Sequence, residues 1–318
     1  MSPPNPERRF WLHEVVRRRG HERRFSERTI ASYVYWIRRF VLNNGRRHPN
    51  DLGPTEVRQF LAMLTVEQGL SASTHNQALA ALTFLYVEVL RAPFDRIPGL
   101  APASRPRREP IVLSTGEVGR VVERLDQPFR LCVLLMYGGG LRLTECLTLR
   151  VKDVDLERRE IVNRGGKGGK GRRVPLAVPA LGMLRRRFAE LRRRWYSDLR
   201  RDVQSTVLTP NASRDWMWSY VFPATRTFVD RSGKRRRHHL HESVLHRAIV
   251  RAAREAGMTK RVTSHAFRHS FATHLLESGT DIRTIQELLG HRNLRTTMIY
   301  THVMNRGALG VISPADRL

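Results

Sequence analysis

Cysteine is scarce in this sequence, and no long apolar run is present. The two cysteines, Cys132 and Cys146, lie in or beside the apolar run 131–137 and lack the spacing of metal ligands. We therefore expect reduced thiols in the core of a cytoplasmic protein. The N-terminal segment lacks the apolar stretch of a signal peptide, and no segment approaches the ~20 apolar residues that span a bilayer. Neither secretion nor a membrane partner is expected.

Acidic residues are also few, with 29 against 57 basic residues and a formal net charge of +28. Only 5 of the basic residues are lysines, and a GC-rich genome explains this preference for arginine but not the excess of base over acid. The basic residues recur along the whole chain, which suits a polyanion contacted by more than one domain. A length of 318 residues suffices for two domains. The composition favours a nucleic-acid-binding protein.

The first 91 residues follow a helical pattern with breaks at Gly20, at 43–45 and around Gly69, and four helices fit. The second helix, from Ser26 to Val41, has Ser26 as its expected N-cap. The fourth, from Ser73 to Leu90, opens with small polar side chains, which suit DNA contact as well as a solvated helix end. The candidate DNA contacts of this domain are Ser26, Arg28, Tyr33, Thr74, His75 and Asn76.

A linker and a mixed domain follow. Residues 92–112 contain five prolines and no helical period, so they are interpreted as the linker. In the domain 113–318, Ser114 is the expected cap of a helix, and a second, apolar helix ends at a run of three glycines. Two short strands at 160–163 and 172–176 are joined by a glycine-rich hairpin. Helices are predicted near 178–204, 242–256, 264–278 and 281–289, and the tryptophan-rich segment 205–240 is unassigned.

Arg142 follows the three glycines and is predicted to begin a helix. A guanidinium fixed there can bind a phosphate through two nitrogens, with Glu145 three residues later to orient it. A surface ion pair between positions i and i+3 is the alternative explanation.

The tip of the predicted hairpin, 165–171, combines glycines with Lys167 and Lys170, and Arg172 follows it. An amine can donate a proton to a departing oxygen, which a guanidinium cannot do, so Lys167 is a candidate general acid. A loop that only touches phosphates is the alternative, and it fits Lys170 equally well. Lys170 and Arg172 are therefore candidate DNA contacts. The spacing differs from that of a nucleotide-binding P-loop.

A third motif places His265 and Arg268 on one face of a predicted helix, with Ser264 as its expected cap. One side chain can exchange a proton while the other binds phosphate. His265 and His269 have the spacing of a zinc helix, but Ala266 stands where such a helix has its catalytic glutamate. We therefore expect no metal here.

The fourth motif contains His291, after a helix that ends at Gly290, and Tyr300 nine residues further on. Tyrosine, with a pKa near ~10, is a poor nucleophile unless cations stabilise its oxyanion and the charge on the phosphate. The other three motifs supply such cations. Each motif has a simpler explanation, but their combination indicates phosphoryl transfer through Tyr300.

The ordered set Arg142, Lys167, His265, Arg268, His291 and Tyr300 is similar to the catalytic set of the tyrosine recombinase family. The resemblance implies a helical, SAM-like DNA-binding domain at 1–91 and a mixed α+β catalytic domain at 113–318. It implies a 3′-phosphotyrosyl intermediate, a homotetramer on DNA, and neither cofactor nor metal. Arg142, Arg268 and His291 would bind the scissile phosphate, Lys167 would protonate the leaving 5′ oxygen, and His265 would exchange the tyrosine proton. Glu145 would brace the pocket, and the tail 303–318 would dock on a neighbouring protomer.

Three segments resemble one subfamily, the integron integrases: 216–223, 235–242 and 300–307. Its members recombine folded single-stranded cassette sites with a double-stranded attachment site. Trp218 and His239 are therefore candidate contacts to unpaired bases, although both tryptophans of the first segment could instead belong to the core. Residues 196–216 are shorter than the subfamily's inserted segment.

Three alternatives remain open on the sequence. A phage-type integrase or chromosome-dimer resolvase fits if the tryptophans are structural. A type IB topoisomerase forms the same covalent bond but acts as a monomer, and a non-catalytic DNA-binding regulator would not need the full set of catalytic side chains.

Overall fold

The computed structural model describes residues 7–66, 68–92, 110–164, 171–206, 211–291 and 293–303. The chain divides into two compact units, Met1–Arg108 and Glu109–Leu318. Both units are mainly helical, and the strands are short and belong to the second unit. The predicted fold class, mainly α with a small antiparallel β element, is confirmed.

The N-terminal unit contains the four predicted helices. They are α1 (Glu7–Glu22), α2 (Glu27–Asn43), α3 (Pro54–Val66) and α4 (Ala72–Phe84), and α4 continues as a π-helical turn, Leu85–Leu90. The predicted break at Gly20 is wrong, because this glycine lies inside α1. A Cβ atom there would lie 2.7 Å from Cγ1 of Ile30, so glycine allows α1 to pack closely on α2.

Helix α2 begins as its sequence predicts. The Ser26 hydroxyl accepts the Thr29 backbone N–H at 3.2 Å, which satisfies one of the free donors at the helix start. Ile30, Trp36, Ile37 and Phe40 of this helix are buried. Helix α4 is capped by Ser71 and thus begins earlier than its sequence pattern indicates.

The second unit has eight helices in its described part. They are α5 (Thr115–Glu123), α6 (Phe129–Gly139), α7 (Leu143–Leu147), α8 (Val178–Arg200), α9 (Glu242–Glu255), α10 (Ser264–Glu277), α11 (Ile282–Leu289) and α12 (Leu294–Thr297), and a 3₁₀ segment, Met298–Val303, follows α12. Ser114 caps α5 as expected. The cap of α10 is Thr263 and not Ser264, because the Thr263 hydroxyl accepts the Ala266 N–H at 3.3 Å.

Two small sheets accompany these helices. The first has the order β1 (Val154–Asp155), β2 (Glu160–Asn163) and β3 (Arg172–Pro175), all antiparallel. Strands β2 and β3 are the predicted hairpin, and β1 is too short to give a pattern. The second sheet is β4 (Gln204–Ser205), β6 (Arg235–Arg237) and β5 (Phe228–Val229), with β4 parallel to β6. It lies in the segment that the sequence left unassigned.

An ion pair connects this second sheet to α8. Both oxygens of Asp198 accept hydrogen bonds from Arg237 at 2.7 Å, and each side chain is 15% exposed. A paired, two-point contact of this kind fixes orientation as well as position. The insertion between α8 and α9 is thus anchored to the body of the unit.

The core of the second unit gathers around α6, with Cys132 and Cys146 buried and unbridged. No helix among the described ranges is long and apolar enough to cross a membrane.

Gly140 ends α6 in the left-handed conformation, with φ +61°. A Cβ atom there would lie 2.6 Å from ring carbons of Phe271 on α10. We expect Gly140→Ala to lower the free energy of unfolding by about 2–4 kcal/mol, from the strained backbone and from the clash with the ring. Urea unfolding of the variant measures this change.

Gly257 is the matched control, because its φ is +64° but a Cβ atom there would have no neighbouring atom within 4 Å. Gly257→Ala should lower the free energy of unfolding by only about 1–2 kcal/mol, from the backbone alone. Equal losses in the two variants would show that the contact with Phe271 does not matter.

Candidate active site

The site is built on the turn that joins α6 to α7. Arg142 occupies the N-cap position of α7, and Glu145 Oε2 accepts its backbone N–H at 2.8 Å. The other carboxylate oxygen, Oε1, accepts a hydrogen bond from Arg142 Nη1 at 2.7 Å. The Arg142 side chain remains 38% exposed. Its guanidinium is therefore oriented from within the protein while still open to a ligand.

Arg172 approaches the same carboxylate from β3. Its Nη1 and Nη2 donate to Glu145 Oε1 and Oε2 at 2.9 and 2.6 Å, and its Nε donates to the Leu288 carbonyl at 2.7 Å. The side chain is 12% exposed. Three of the five N–H donors of Arg172 are thus used inside the protein, and its contact with DNA stays a prediction. The residue joins β3 to α7 and to the end of α11.

Arg268, on α10, is the third arginine of this cluster. It is buried, donates to the carbonyls of Gly140 and of Leu289, the latter at 2.6 Å, and lies 3.8 Å from Glu145 Oε2. Burial lowers the pKa of Arg268 to about 10, and the positive charge of Arg142 adds to this effect while Glu145 opposes it. The group is still charged at neutral pH.

These side chains form a cluster in which one carboxylate faces three guanidinium groups, and we call it the arginine cluster: Arg142, Glu145, Arg172 and Arg268. Burial raises the pKa of Glu145, but the hydrogen bonds from Arg172 and from the Arg142 backbone outweigh it and bring the pKa to about 2. The cluster thus carries two positive charges in excess at neutral pH. Such an excess suits a phosphodiester and the further charge that develops on it during attack.

His291 lies beside the cluster, after α11 ends at Gly290 in the left-handed conformation. Its Nε2 is 3.2 Å from Arg268 Nη2, and its Nδ1 is 3.0 Å from the Thr297 hydroxyl. Burial, followed by the charges of Arg268 and Arg142, lowers the pKa of His291 to about 4. The ring is therefore neutral at physiological pH and has a single N–H, which can donate to a phosphate oxygen in the tautomer that carries its proton on Nε2.

Tyr300 lies in the 3₁₀ segment with a side chain only 2% exposed. Its ring is nearly parallel to that of His291, at 11° and 6.4 Å between centroids. Burial raises the pKa of the phenol, while Arg268 and Arg142 act in the opposite direction. The hydroxyl lies 3.0 Å from Nδ1 of His269. The structure thus brings Arg142, Glu145, Arg268, His291 and Tyr300 together.

His265, by contrast, is exposed and is not the histidine that touches the Tyr300 hydroxyl. The family resemblance gives the exchange of the tyrosine proton to His265, but in this structure His269, one helical turn further along α10, is the histidine within hydrogen-bond distance of the Tyr300 hydroxyl. The spacing of four residues between the two histidines was the available signal. Lys167 and Lys170 lie outside the described residues. Among the described side chains, no group of three or more His, Cys, Asp or Glu is placed to hold a metal ion.

A second set of aromatic and basic side chains lies where the insertion between α8 and α9 packs on residues 150–152. Arg150 stacks over the Tyr220 ring at 4.1 Å and lies 5.6 Å from the Trp218 ring, and Lys152 lies over the same indole. Trp218 itself is half-buried. His239 is also half-buried, with its ring 5.5 Å from that of Tyr220, and burial lowers its pKa.

The candidates of the N-terminal unit differ in exposure. Arg28 is exposed, and Thr74 and Asn76 are partly exposed at the start of α4. His75 is only 8% exposed and its side chain turns inward on α4, so little of it is open to the DNA contact that the sequence predicts. Tyr33 packs between Phe25 and Phe84, at 5.7 and 5.3 Å between ring centroids. The Ser26 hydroxyl is engaged in its helix cap.

Replacing Glu145 by Gln tests the arginine cluster. A pKa lowered from 4.5 to about 2 corresponds to about 3 kcal/mol, and we expect E145Q to lose about this much free energy of unfolding at pH 7. A lowered pKa stabilises the folded state fully above pH 4.5 and loses this effect as the pH falls towards 2. The difference between wild type and E145Q in urea unfolding should therefore shrink over that interval.

The exposed Glu157 serves as the control, and E157Q should unfold like the wild type at every pH. A difference between wild type and E145Q that does not change between pH 7 and pH 2 would contradict the role given to this carboxylate.

Comparison with known proteins gives family matches in both units. Residues 113–306 match the phage integrase family, and residues 11–96 match the phage integrase N-terminal SAM-like domain. A curated protein of Escherichia coli named Integrase/recombinase is 42% identical over 328 residues, which cover 100% of this chain and 96% of that protein. Tyrosine recombinase XerA of Thermococcus kodakarensis is 37% identical over 287 residues, covering 87% of this chain and 86% of that protein.

Two solved structures share the fold. The XerH site-specific recombinase in its post-cleavage complex with palindromic difH aligns with a TM-score of 0.60 at 22% identity, covering 92% of this chain and 81% of that one. The Tn1549 transposon integrase in complex with transposon right end DNA aligns with a TM-score of 0.63 at 16% identity, covering 91% of this chain and 94% of that one. The family matches and the sequence relatives decide the family. The chain belongs to the phage integrase family and is a tyrosine site-specific recombinase.

Proposed function

We propose that this recombinase is an integron integrase, which recombines a folded single-stranded cassette site with a double-stranded attachment site. The observation that carries the proposal is the half-buried Trp218 of the insertion, with Arg150 and Lys152 against its ring. The neighbouring Tyr220 is buried and packs against Arg150. Unpaired bases stack on aromatic rings, and neighbouring cations attract the backbone that carries them. A duplex offers no such bases.

The proposed chemistry takes place at the arginine cluster. Tyr300 Oη attacks the scissile phosphorus and its proton passes to His265, the role that the family resemblance gives to this residue. The bond from phosphorus to the 5′ oxygen breaks, and the product is a 3′-phosphotyrosyl link with a free 5′-hydroxyl. Arg142, Arg268 and His291 bind the non-bridging oxygens, where the excess positive charge lies. Lys167 donates the proton to the leaving oxygen. The 5′-hydroxyl of the partner strand then attacks the phosphotyrosine and restores the phosphodiester.

Glu145 has a supporting part in this proposal. Its two oxygens align Arg142 and Arg172, and its charge keeps three closely spaced guanidinium groups compatible. Four protomers would assemble on two DNA sites, with the tail 303–318 docked on a neighbour. Nearly all of that tail lies outside the described residues.

A second candidate function is recombination between two duplex sites, as in a phage-type integrase or a chromosome-dimer resolvase. It is favoured by the identity to Tyrosine recombinase XerA, which extends over both units. Under this function the aromatic rings of the insertion would serve packing alone. The two candidates share the arginine cluster and Tyr300 and differ in the DNA that they accept.

The DNA on which a covalent adduct forms distinguishes the two candidate functions. We expect the purified protein to form a covalent adduct, seen on a denaturing gel, with a nicked suicide version of a folded single-stranded cassette site. The adduct should be lost in Tyr300→Phe, which keeps the ring but has no nucleophile. An adduct formed only with linear duplex sites would retain the recombinase chemistry and reject the integron integrase.

The contact between rings and bases has its own test. We expect Trp218→Ala to weaken binding of the folded cassette site about 5- to 150-fold, since stacking on an aromatic ring contributes about 1–3 kcal/mol per base. Binding of the duplex attachment site should not change. Fluorescence anisotropy at fixed salt measures both affinities.

The neighbouring Met217 is exposed and provides the control, because M217A removes a side chain from the same turn without removing a ring. Equal weakening of both DNA substrates by W218A would indicate general damage to the insertion and would contradict base stacking.

A further inference from the structure

His269 is half-buried on α10 and makes a contact that the proposed chemistry leaves unused. Its Nδ1 lies 3.0 Å from the Tyr300 hydroxyl, and the two ring centroids are 5.5 Å apart at an angle of 52°. Because Tyr300 is almost wholly buried, the orientation of its hydroxyl depends on the few polar groups beside it. The contact therefore bears directly on where the nucleophile points.

We propose that His269 is a positioning residue for Tyr300, whose hydroxyl it holds beside the arginine cluster through a hydrogen bond accepted by Nδ1, and that the imidazole remains neutral. This inference rests on the proposed role of Tyr300 as nucleophile. A neutral imidazole that carries its proton on Nε2 presents a bare Nδ1, which is the acceptor that a phenol requires.

The surroundings explain why the ring does not take up the proton itself. His265 and Arg268 lie on the same helix, and Tyr300 and His291 approach from the segment that follows α11. Burial, then the nearby His265 and Arg268, lowers the pKa of His269 to about 4. Burial raises the pKa of Tyr300, so transfer of the phenol proton to a ring of such low pKa is unfavourable.

A positioning role and a proton-transfer role for His269 predict different effects of substitution at this residue. Asn carries an oxygen where histidine carries Nδ1, so H269N can still accept the hydrogen bond but cannot titrate. Ala has no acceptor, and the amide of Gln lies beyond the position of Nδ1. If His269 positions Tyr300, Asn should preserve its function, while Ala and Gln should not. If His269 were a general base, none of the three substitutions would preserve its function.

The same helix offers a matched control. His274 Nδ1 lies 2.8 Å from the hydroxyl of Tyr137, which is a second Tyr–His pair, apart from the arginine cluster. H274A removes an equivalent hydrogen bond and should lower thermal stability by a similar amount without changing the cleavage rate. The control separates damage to α10 from an effect on Tyr300.

The first experiment measures the single-turnover rate of adduct formation on a nicked suicide site, between pH 5.5 and 9. We expect H269A and H269Q to be about tenfold slower than wild type, as the loss of one hydrogen bond implies, and H269N to stay within about twofold. The shape of the pH profile should be the same in H269N and wild type. A rate in H269N as low as in H269A, or a wild-type rate in H269A, would overturn the proposal.

The second experiment needs no DNA. A fluorinated tyrosine placed at position 300 reports the pKa of that phenol by ¹⁹F NMR in the full chain. Loss of the acceptor in H269A should lower this pKa, while H269N and H274A should leave it unchanged; an unchanged pKa in H269A rejects the contact. If Y300F still forms the adduct, the proposed function fails, yet this measurement still reports on His269.

Discussion

The carboxylate of Glu145 is the group on which the rest of the site depends. It lies within 3.8 Å of three guanidinium groups that come from separate elements of the second unit. Without it, buried like charges would repel each other and lose their hydrogen-bond partner, which in protein interiors costs several kcal/mol. With it, the cluster is stable and still carries two positive charges in excess. Because one carboxylate neutralises only one of the three guanidinium charges, the cluster can bind an anion.

The backbone around the cluster serves the same arrangement. Gly140 and Gly290 both adopt the left-handed conformation, one at the end of α6 and one at the end of α11. Each turn exposes a carbonyl that accepts a hydrogen bond from an arginine of the cluster: Arg268 binds the Gly140 carbonyl, and Arg142 binds that of Gly290 at 3.3 Å. The helix ends, the carboxylate and the arginines therefore stabilise one another. His291 directly follows the second turn, and Tyr300 lies nine residues further along the chain.

Much of this arrangement could be predicted from the sequence, because its signals are local. Helix periodicity, the cap at Ser26 and the glycine run before Arg142 depend on neighbouring residues, and the structure has them as expected. Tertiary contacts could not be predicted in the same way. Arg172 follows a basic loop and resembles a DNA contact, but the fold turns it towards Glu145. His265 and His269 lie four residues apart, and only the packing of the 3₁₀ segment against α10 selects which of them contacts Tyr300. The strands of the insertion are two or three residues long, too short for a pattern.

The central claim is that the charge of the arginine cluster serves a phosphotyrosine formed at Tyr300. The most direct measurement is mass spectrometry of the trapped covalent adduct after digestion of the DNA and of the protein. We predict a nucleotide remnant on the peptide that contains Tyr300, attached to the tyrosine oxygen through a 3′ phosphate. A remnant on any other residue, or one attached through a 5′ phosphate, would contradict the assignment of the nucleophile and the direction of strand transfer.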